Sequence, residues 1–218
     1  MNRAVFDHDF ADLPRILPIF PLPSVLLLPG GQLPLNVFEP RYLALVRDAL
    51  AGDRLIGMIQ PCESAADVGA AKVYGTGCAG RITAFSETPD GRYVITLTGV
   101  IRFDCKGELP KIDGYRRVIS DYSRFRGDLA EDDSAIDRDR LLAALRPYFD
   151  ATDIEVDWAA IKESGDEPLV TSLAMICPFE GAEKQVLLES MTLRERVEAL
   201  TAIIQLATYR APGDGAPH

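Results

Sequence analysis

Residues 17–42 read LPIFPLPSVLLLPGGQLPLNVFEPRY, and the order of signals in this stretch decides the fold. Leu17–Phe20 is a short apolar piece between prolines, Val25–Leu28 reads as a buried strand, and Pro29-Gly30-Gly31 turns the chain. Leu33–Phe38 resumes an apolar strand, and Glu39-Pro40-Arg41-Tyr42 opens a helix. Pro34 suits the start or edge of its strand, because proline has no N–H to give to a ladder. Pro40 suits a first helical turn, where the missing N–H costs nothing. The stretch contains no nucleophile, metal-ligand pattern or phosphate loop, so it speaks of architecture before chemistry.

Downstream, Glu39–Ala51 is an amphipathic helix, with Leu43, Val46 and Leu50 three and four apart, stopped by Gly52. Arg54–Gln60 reads as a buried strand and Pro61–Gly69 as a polar loop. Val73–Glu87 and Arg92–Phe103 form a long hairpin around Thr88-Pro89-Asp90-Gly91, its first strand bent or bulged at its glycines. Tyr115–Phe125 adds one more strand. Helical periodicity then takes over: Ser134–Asp150, which Pro147 is expected to end or kink, then Asp157–Glu163, Pro168–Ile176 and Ala182–Ser190. A final helix starts at Thr192-Leu193-Arg194-Glu195, a capping box in which hydroxyl and carboxylate each satisfy the other's free backbone N–H. These shifts predict an arm over 1–12, a β-rich subdomain over 13–125, a helical subdomain over 126–210 and a disordered tail over 211–218.

Of 218 residues, 47% are hydrophobic and 26% charged, ordinary values for a globular chain with ample length for a core. The net charge of −10 is concentrated in residues 121–170, which carry 14 acidic and 6 basic side chains. An acidic chain gains nothing from counterion release on phosphates, which argues against nucleic acid as a partner. No apolar run approaches the roughly 18 residues of a membrane span, and residues 1–12 lack the order of a secretory signal. A cytoplasmic location without membrane contact is therefore expected. The four cysteines form no C-x-x-C pair, and the two histidines, His8 and His218, lie at the ends. Metal, redox and Ser-His-Asp chemistry are correspondingly disfavoured. Asp132-Asp133 and Asp137-x-Asp139 lack calcium-loop spacing and read as a solvated connector and helix start.

Several segments, taken in order, resemble the amino-terminal, substrate-binding domain of Lon proteases. They are Leu17-Pro18-Ile19-Phe20-Pro21-Leu22, Pro29-Gly30, Pro34-Leu35, Glu39-Pro40-Arg41-Tyr42 and Asp53-Arg54-Leu55-Ile56-Gly57. Val73–Ile82, with its glycines before Arg81-Ile82, Gly99-Val100-Ile101-Arg102-Phe103 and Glu183-Lys184-Gln185-Val186-Leu187-Leu188-Glu189 continue the resemblance, which spans about residues 13–208. It implies an α+β fold, a PUA-like twisted and partly closed β-subdomain followed by a helical subdomain. It does not imply proteolysis. The five lysines are followed by Val73, Gly107, Ile112, Glu163 and Gln185, so none supplies the Lys-Ser/Thr of a phosphate-binding loop. No serine lies in the nucleophile segment of the Lon serine-lysine dyad.

The expected function is non-catalytic binding of unfolded or extended protein segments, or of an assembly partner, with no cofactor, metal or catalytic residue. A β-subdomain with an open edge can accept such a segment as an added strand. The candidate binding cluster is Asn36, Phe38, Glu39, Arg41 and Tyr42, at the strand-to-helix junction. The competing structural reading makes Phe38 and Tyr42 core, Glu39 a helix-start charge and Arg41 the partner of a nearby acid. The alternative function is a small-molecule enzyme or hydrolase using carboxylates, such as Glu39 with Asp53 or Asp104, in a cleft between the two subdomains.

Overall fold

The computed structural model describes residues 9–62, 71–130, 132, 135–152 and 154–210. The sequence-predicted arm up to residue 8, the loop from residue 63 to 69, Asp133, Ser134 and the tail from residue 211 lie outside them. The chain divides into two compact units, with the boundary after residue 131.

The first unit is built on a six-stranded mixed sheet: β1 (Ile16–Pro21), β2 (Gln32–Val37), β3 (Leu55–Ile59), β4 (Thr76–Glu87), β5 (Tyr93–Ile112) and β6 (Tyr115–Asp121), with α1 (Pro40–Ala51) between β2 and β3. The strand order is β2-β5-β4-β3-β1-β6, and β6 pairs again with β5. Five strands thus close into a ring, and β2 is appended outside it. This is the twisted, partly closed β architecture expected from the sequence. Closure depends on the 20 residues of β5. Its first half pairs with β2 and β4, from Tyr93↔Val37 to Thr98↔Gln32, and its second half turns to β6, from Asp104↔Asp121 to Ile112↔Tyr115. A strand this long must coil to serve both, and the register slips between Ala79/Gly80, Ile82/Ala84 and Cys105/Gly107 mark where it does.

The ring is filled by Leu17, Ile19, Leu55, Ile59, Ala79, Ile101, Phe103, Val118, Tyr122 and Phe125. Phe103 sits where β3 and β4 carry glycines: a Cβ on Gly57 or Gly77 would lie within 3.0 Å of its ring. Gly99 is needed for a different reason. A Cβ there would stand 2.0 Å from the Leu28 carbonyl oxygen, and the same close approach lets Gly30 N–H donate to Gly99 O while Gly99 N–H donates to Gly31 O.

Val25–Leu28 is not a strand. Leu26, Leu27 and Leu28 are buried, but the segment is irregular, starting at Ser24 with φ of 58° and ending at Pro29. Its apolar run therefore reports burial and not pairing. β6 likewise stops at Asp121, before a 3-10 segment, Ser123–Leu129, that packs on β5. An ion pair fastens that segment. Arg102 Nε and Nη2 donate to the Asp128 carboxylate at 2.6–3.2 Å, Arg102 N–H donates to it at 2.9 Å, and the guanidinium stacks over Phe125. The two side chains are only 3% and 7% exposed.

The second unit contains α2 (Arg138–Thr152), α3 (Trp158–Glu163), α4 (Asp166–Ile176), α5 (Gly181–Glu189) and α6 (Leu193–Arg210). Pro147 lies inside α2 without ending it. Buried Val197, Leu200 and Ile204 put one face of α6 against the helices before it. The helix ends are tied by side chains. Asp157 accepts from Ala159 N–H and Ala160 N–H, and Thr192 and Glu195 exchange the expected capping-box bonds. Buried Arg196 donates to the carbonyls of Leu187 and Ser190, and Arg138 to those of Ile161 and Ser164.

Candidate functional site

The end of β2 and the start of α1 present the strongest candidate surface in the first unit. Among the described residues β2 pairs with β5 on one side only, so it is the edge of their sheet, and Pro34 lies in this edge strand. Register places Leu35 and Val37 on the face shared by Ile95 and Tyr93 in β5 and by Phe85 in β4, while Asn36 shares the opposite face with Val94. Phe85 and Tyr93 meet edge to face at 5.1 Å, with Phe85 still 45% exposed. Phe38, the first residue after β2, is 64% exposed.

The five sequence-selected residues thus separate into two sets. Asn36 and Phe38 are exposed on the surface beside the free edge. Tyr42 is buried and stacked on Phe20, with centroids 3.9 Å apart. Arg41 links the sets: Nε donates to the Glu39 carboxylate at 2.9 Å, and the guanidinium lies 4.6 Å over the Tyr42 ring. Glu39 is the N-cap position of α1, where the positive end of the helix favours a carboxylate, although its side chain makes no capping bond. Phe85, Tyr93 and Val94 were not among the residues selected from sequence. Hairpin pairing with β2 brings them there, and alternation alone does not reveal which neighbouring strand a residue meets.

The carboxylates considered for acid–base work are dispersed. Glu39 precedes α1 and Asp53 follows it, so the 12-residue helix holds them about 18 Å apart along its axis. Asp104 is occupied by Arg124 at 2.9 Å, Lys106 at 3.5 Å and the Thr76 hydroxyl at 3.3 Å. Asp132 accepts from Leu193 N–H and Asp137 from Arg140 N–H, each at a helix start. Among the described residues no group of three His, Cys, Asp or Glu side chains could hold a metal ion, and no helix is long and apolar enough to cross a membrane.

A closed β ring with an appended edge strand, continuing into a helical unit, defines an α+β, PUA-like architecture. A sequence model described as the ATP-dependent protease La (LON) substrate-binding domain matches residues 16–205, and the chain belongs to that family. A Lon protease from Anaeromyxobacter dehalogenans is 28% identical over 200 residues, 88% of this chain and 23% of the relative. Lon protease 2 of Myxococcus xanthus is 37% identical over 93 residues, 42% of this chain and 11% of the relative. The chain spans about a quarter or less of the length of these relatives. Among solved structures, a Lon N-terminal domain protein from Xanthomonas campestris superposes with a TM-score of 0.61 at 25% identity, covering 86% of this chain and 97% of that one. The N-terminal domain of a Mycobacterium avium complex Lon protease shares the fold, with a TM-score of 0.53 at 15% identity and coverage of 87% and 97%.

Proposed function

We propose that this chain is a polypeptide-recognition module that takes an unfolded or extended segment along the free edge of β2 and makes or breaks no bond itself, acting as a substrate-capture or adaptor protein. The observation that carries the reading is the edge of β2, unpaired among the described residues, with the exposed Phe38 ring just past its end. An added strand would bond through its main chain, and its alternate side chains would meet the Phe85–Tyr93 side and the Asn36–Val94 side in turn. Asn36 and Phe38 are then contact residues. Glu39, Arg41 and Tyr42 hold the start of α1 in place beneath them. Membership in a substrate-binding family supports the same reading.

The test is fluorescence anisotropy with a labelled, reduced and carboxymethylated α-lactalbumin, which stays unfolded in buffer. Phe38→Ser and Phe85→Ser remove exposed rings at little cost to the fold. Phe38→Ser is expected to weaken binding about tenfold, the equivalent of about 1.4 kcal/mol and below the ~1.5–3 kcal/mol for full burial of such a side chain, and Phe85→Ser, two strands in from the edge, by less. Wild-type affinity in both variants would refute the site.

A further inference from the structure

The edge of β2 is interrupted at one point, and the directions of the backbone groups in β5 show where. In an antiparallel pair, residues that exchange both backbone bonds with the partner alternate with residues whose N–H and C=O point away from it. Gly99 turns both groups towards the start of β2: its N–H donates to Gly31 O at 2.8 Å, and its C=O accepts from Gly30 N–H at 2.9 Å. Leu97, Ile95 and Tyr93 follow at every second position of β5 and face the same way, which makes Leu33, Leu35 and Val37 their bonded partners. The residues between them face β4 instead. Arg92 O accepts from Thr88 N–H at 2.9 Å, and Thr96 O accepts from Thr83 Oγ1 at 3.2 Å. Gln32, Pro34 and Asn36 are thus left with their backbone groups pointing out along the edge, and all three are exposed. Gln32 and Asn36 each offer an N–H and a C=O, whereas Pro34, between them, offers a C=O alone.

Proline is compatible with β2 only at such an outward position, since at Leu33 or Leu35 it would remove a bond to β5. Once there, it weakens every strand that docks, but not equally. A foreign segment laid along the edge, in either direction, meets Pro34 once and loses one hydrogen bond. A second copy docking β2 against β2 about a two-fold axis meets it twice, because a self-complementary interface sets each copy's proline against the other's strand. Within β2, every such pairing longer than a single pair of residues includes both prolines.

We propose that Pro34 is a specificity-determining residue of this edge, admitting one extended segment of another polypeptide and excluding β2 of a second copy. The inference rests on the capture function proposed above. One backbone hydrogen bond is worth about fivefold in association, so the missing donor weakens capture about fivefold and a β2–β2 pair about 25-fold. Without that bias, the exposed edge and the Phe38 ring past its end would form a template for self-pairing.

The experiment compares wild type with Pro34→Ala, which adds the missing donor, and Gln32→Pro, which removes another outward donor at the first residue of the strand, where proline fits. Anisotropy with the carboxymethylated α-lactalbumin is expected to show about fivefold tighter binding by Pro34→Ala and about fivefold weaker binding by Gln32→Pro. Sedimentation velocity over a dilution series should show Pro34→Ala self-associating at a concentration at least about 25-fold below that of wild type. Hydrogen exchange reads the direction of the group: the amide introduced by Pro34→Ala should exchange rapidly in the free monomer and slowly once α-lactalbumin is bound. Protection of that amide in the free monomer, an affinity in Pro34→Ala no tighter than wild type, or a gain in self-association no larger than the gain in capture would overturn the inference. The two readings fail separately. If capture at β2 is wrong, Phe38→Ser binds α-lactalbumin as wild type does; if only the role of Pro34 is wrong, Phe38→Ser still weakens binding while Pro34→Ala leaves it unchanged.

Discussion

Replacing Asp128 with asparagine should destabilise the β unit far more than its place in a short 3-10 segment suggests. The Asp128 carboxylate receives the Arg102 guanidinium and backbone N–H, with both side chains more than nine-tenths buried. Asp128→Asn keeps the volume but removes the buried carboxylate that receives the Arg102 guanidinium and backbone N–H, a loss of about 3–5 kcal/mol. With a urea m-value of about 2 kcal/mol/M for a unit of this size, the midpoint falls by about 1.5–2.5 M. Fluorescence is the wrong assay, because the single tryptophan, Trp158, lies in α3 of the helical unit. Urea-dependent exchange of the Phe103 and Val118 amides reports the β unit instead. The companion variant, Arg102→Met with Asp128→Leu, removes both charges and should recover most of the loss, since well-packed apolar replacements of buried pairs are often neutral. A loss below about 1 kcal/mol in Asp128→Asn, or a double variant no more stable than the single, would refute the account of a desolvated pair fastening this segment.

Two further outcomes follow from exposure and burial. Arg41→Ala should cost only about 1 kcal/mol in a urea melt, because its pair with Glu39 is 27% and 43% exposed and the stack on Tyr42 adds little; a loss above 3 kcal/mol would make it a buried anchor. In the helical unit, burial pushes the Cys177 thiol up to about 11 from 9.0, so the folded form holds its proton where the unfolded chain has lost it. Its contribution is complete below pH 9 and disappears as pH rises from 9 to 11. Melts followed by Trp158 should show that decline, reduced in Cys177→Ala, and an unaltered pH profile in that variant would contradict it.

Order and turn chemistry made the β unit legible. Pro34 at the sheet edge, Pro40 at a helix start, Gly52 after the helix and Thr88–Gly91 at a hairpin each act through local backbone rules, which a sequence displays directly. Val25–Leu28 reads as a strand because hydrophobicity records removal from water, whereas a strand also needs a partner, and here the backbone approaches Gly99 and turns away. Phe38 reads as core from its apolar neighbours, yet it stands past the last β2–β5 pair and is mostly exposed. Arg102 and Asp128 are 26 residues apart and meet only because the ring closes. The hydrogen bond from Tyr115 to Asp48 joins residues 67 apart, with no local signal at either.

The pairing of β1 with β6 sets a schedule for synthesis. Ile16–Ile19 pair with Arg116–Ile119, a hundred residues later. A ribosome adding about 5–20 residues per second leaves β1 without that partner for roughly 5–20 s. Throughout that interval the LPIFP stretch is an apolar strand with an unprotected edge, a ready template for another nascent chain. Premature termination before Tyr115 would make the interval permanent, so truncated products should be recovered as aggregates rather than as smaller folded domains.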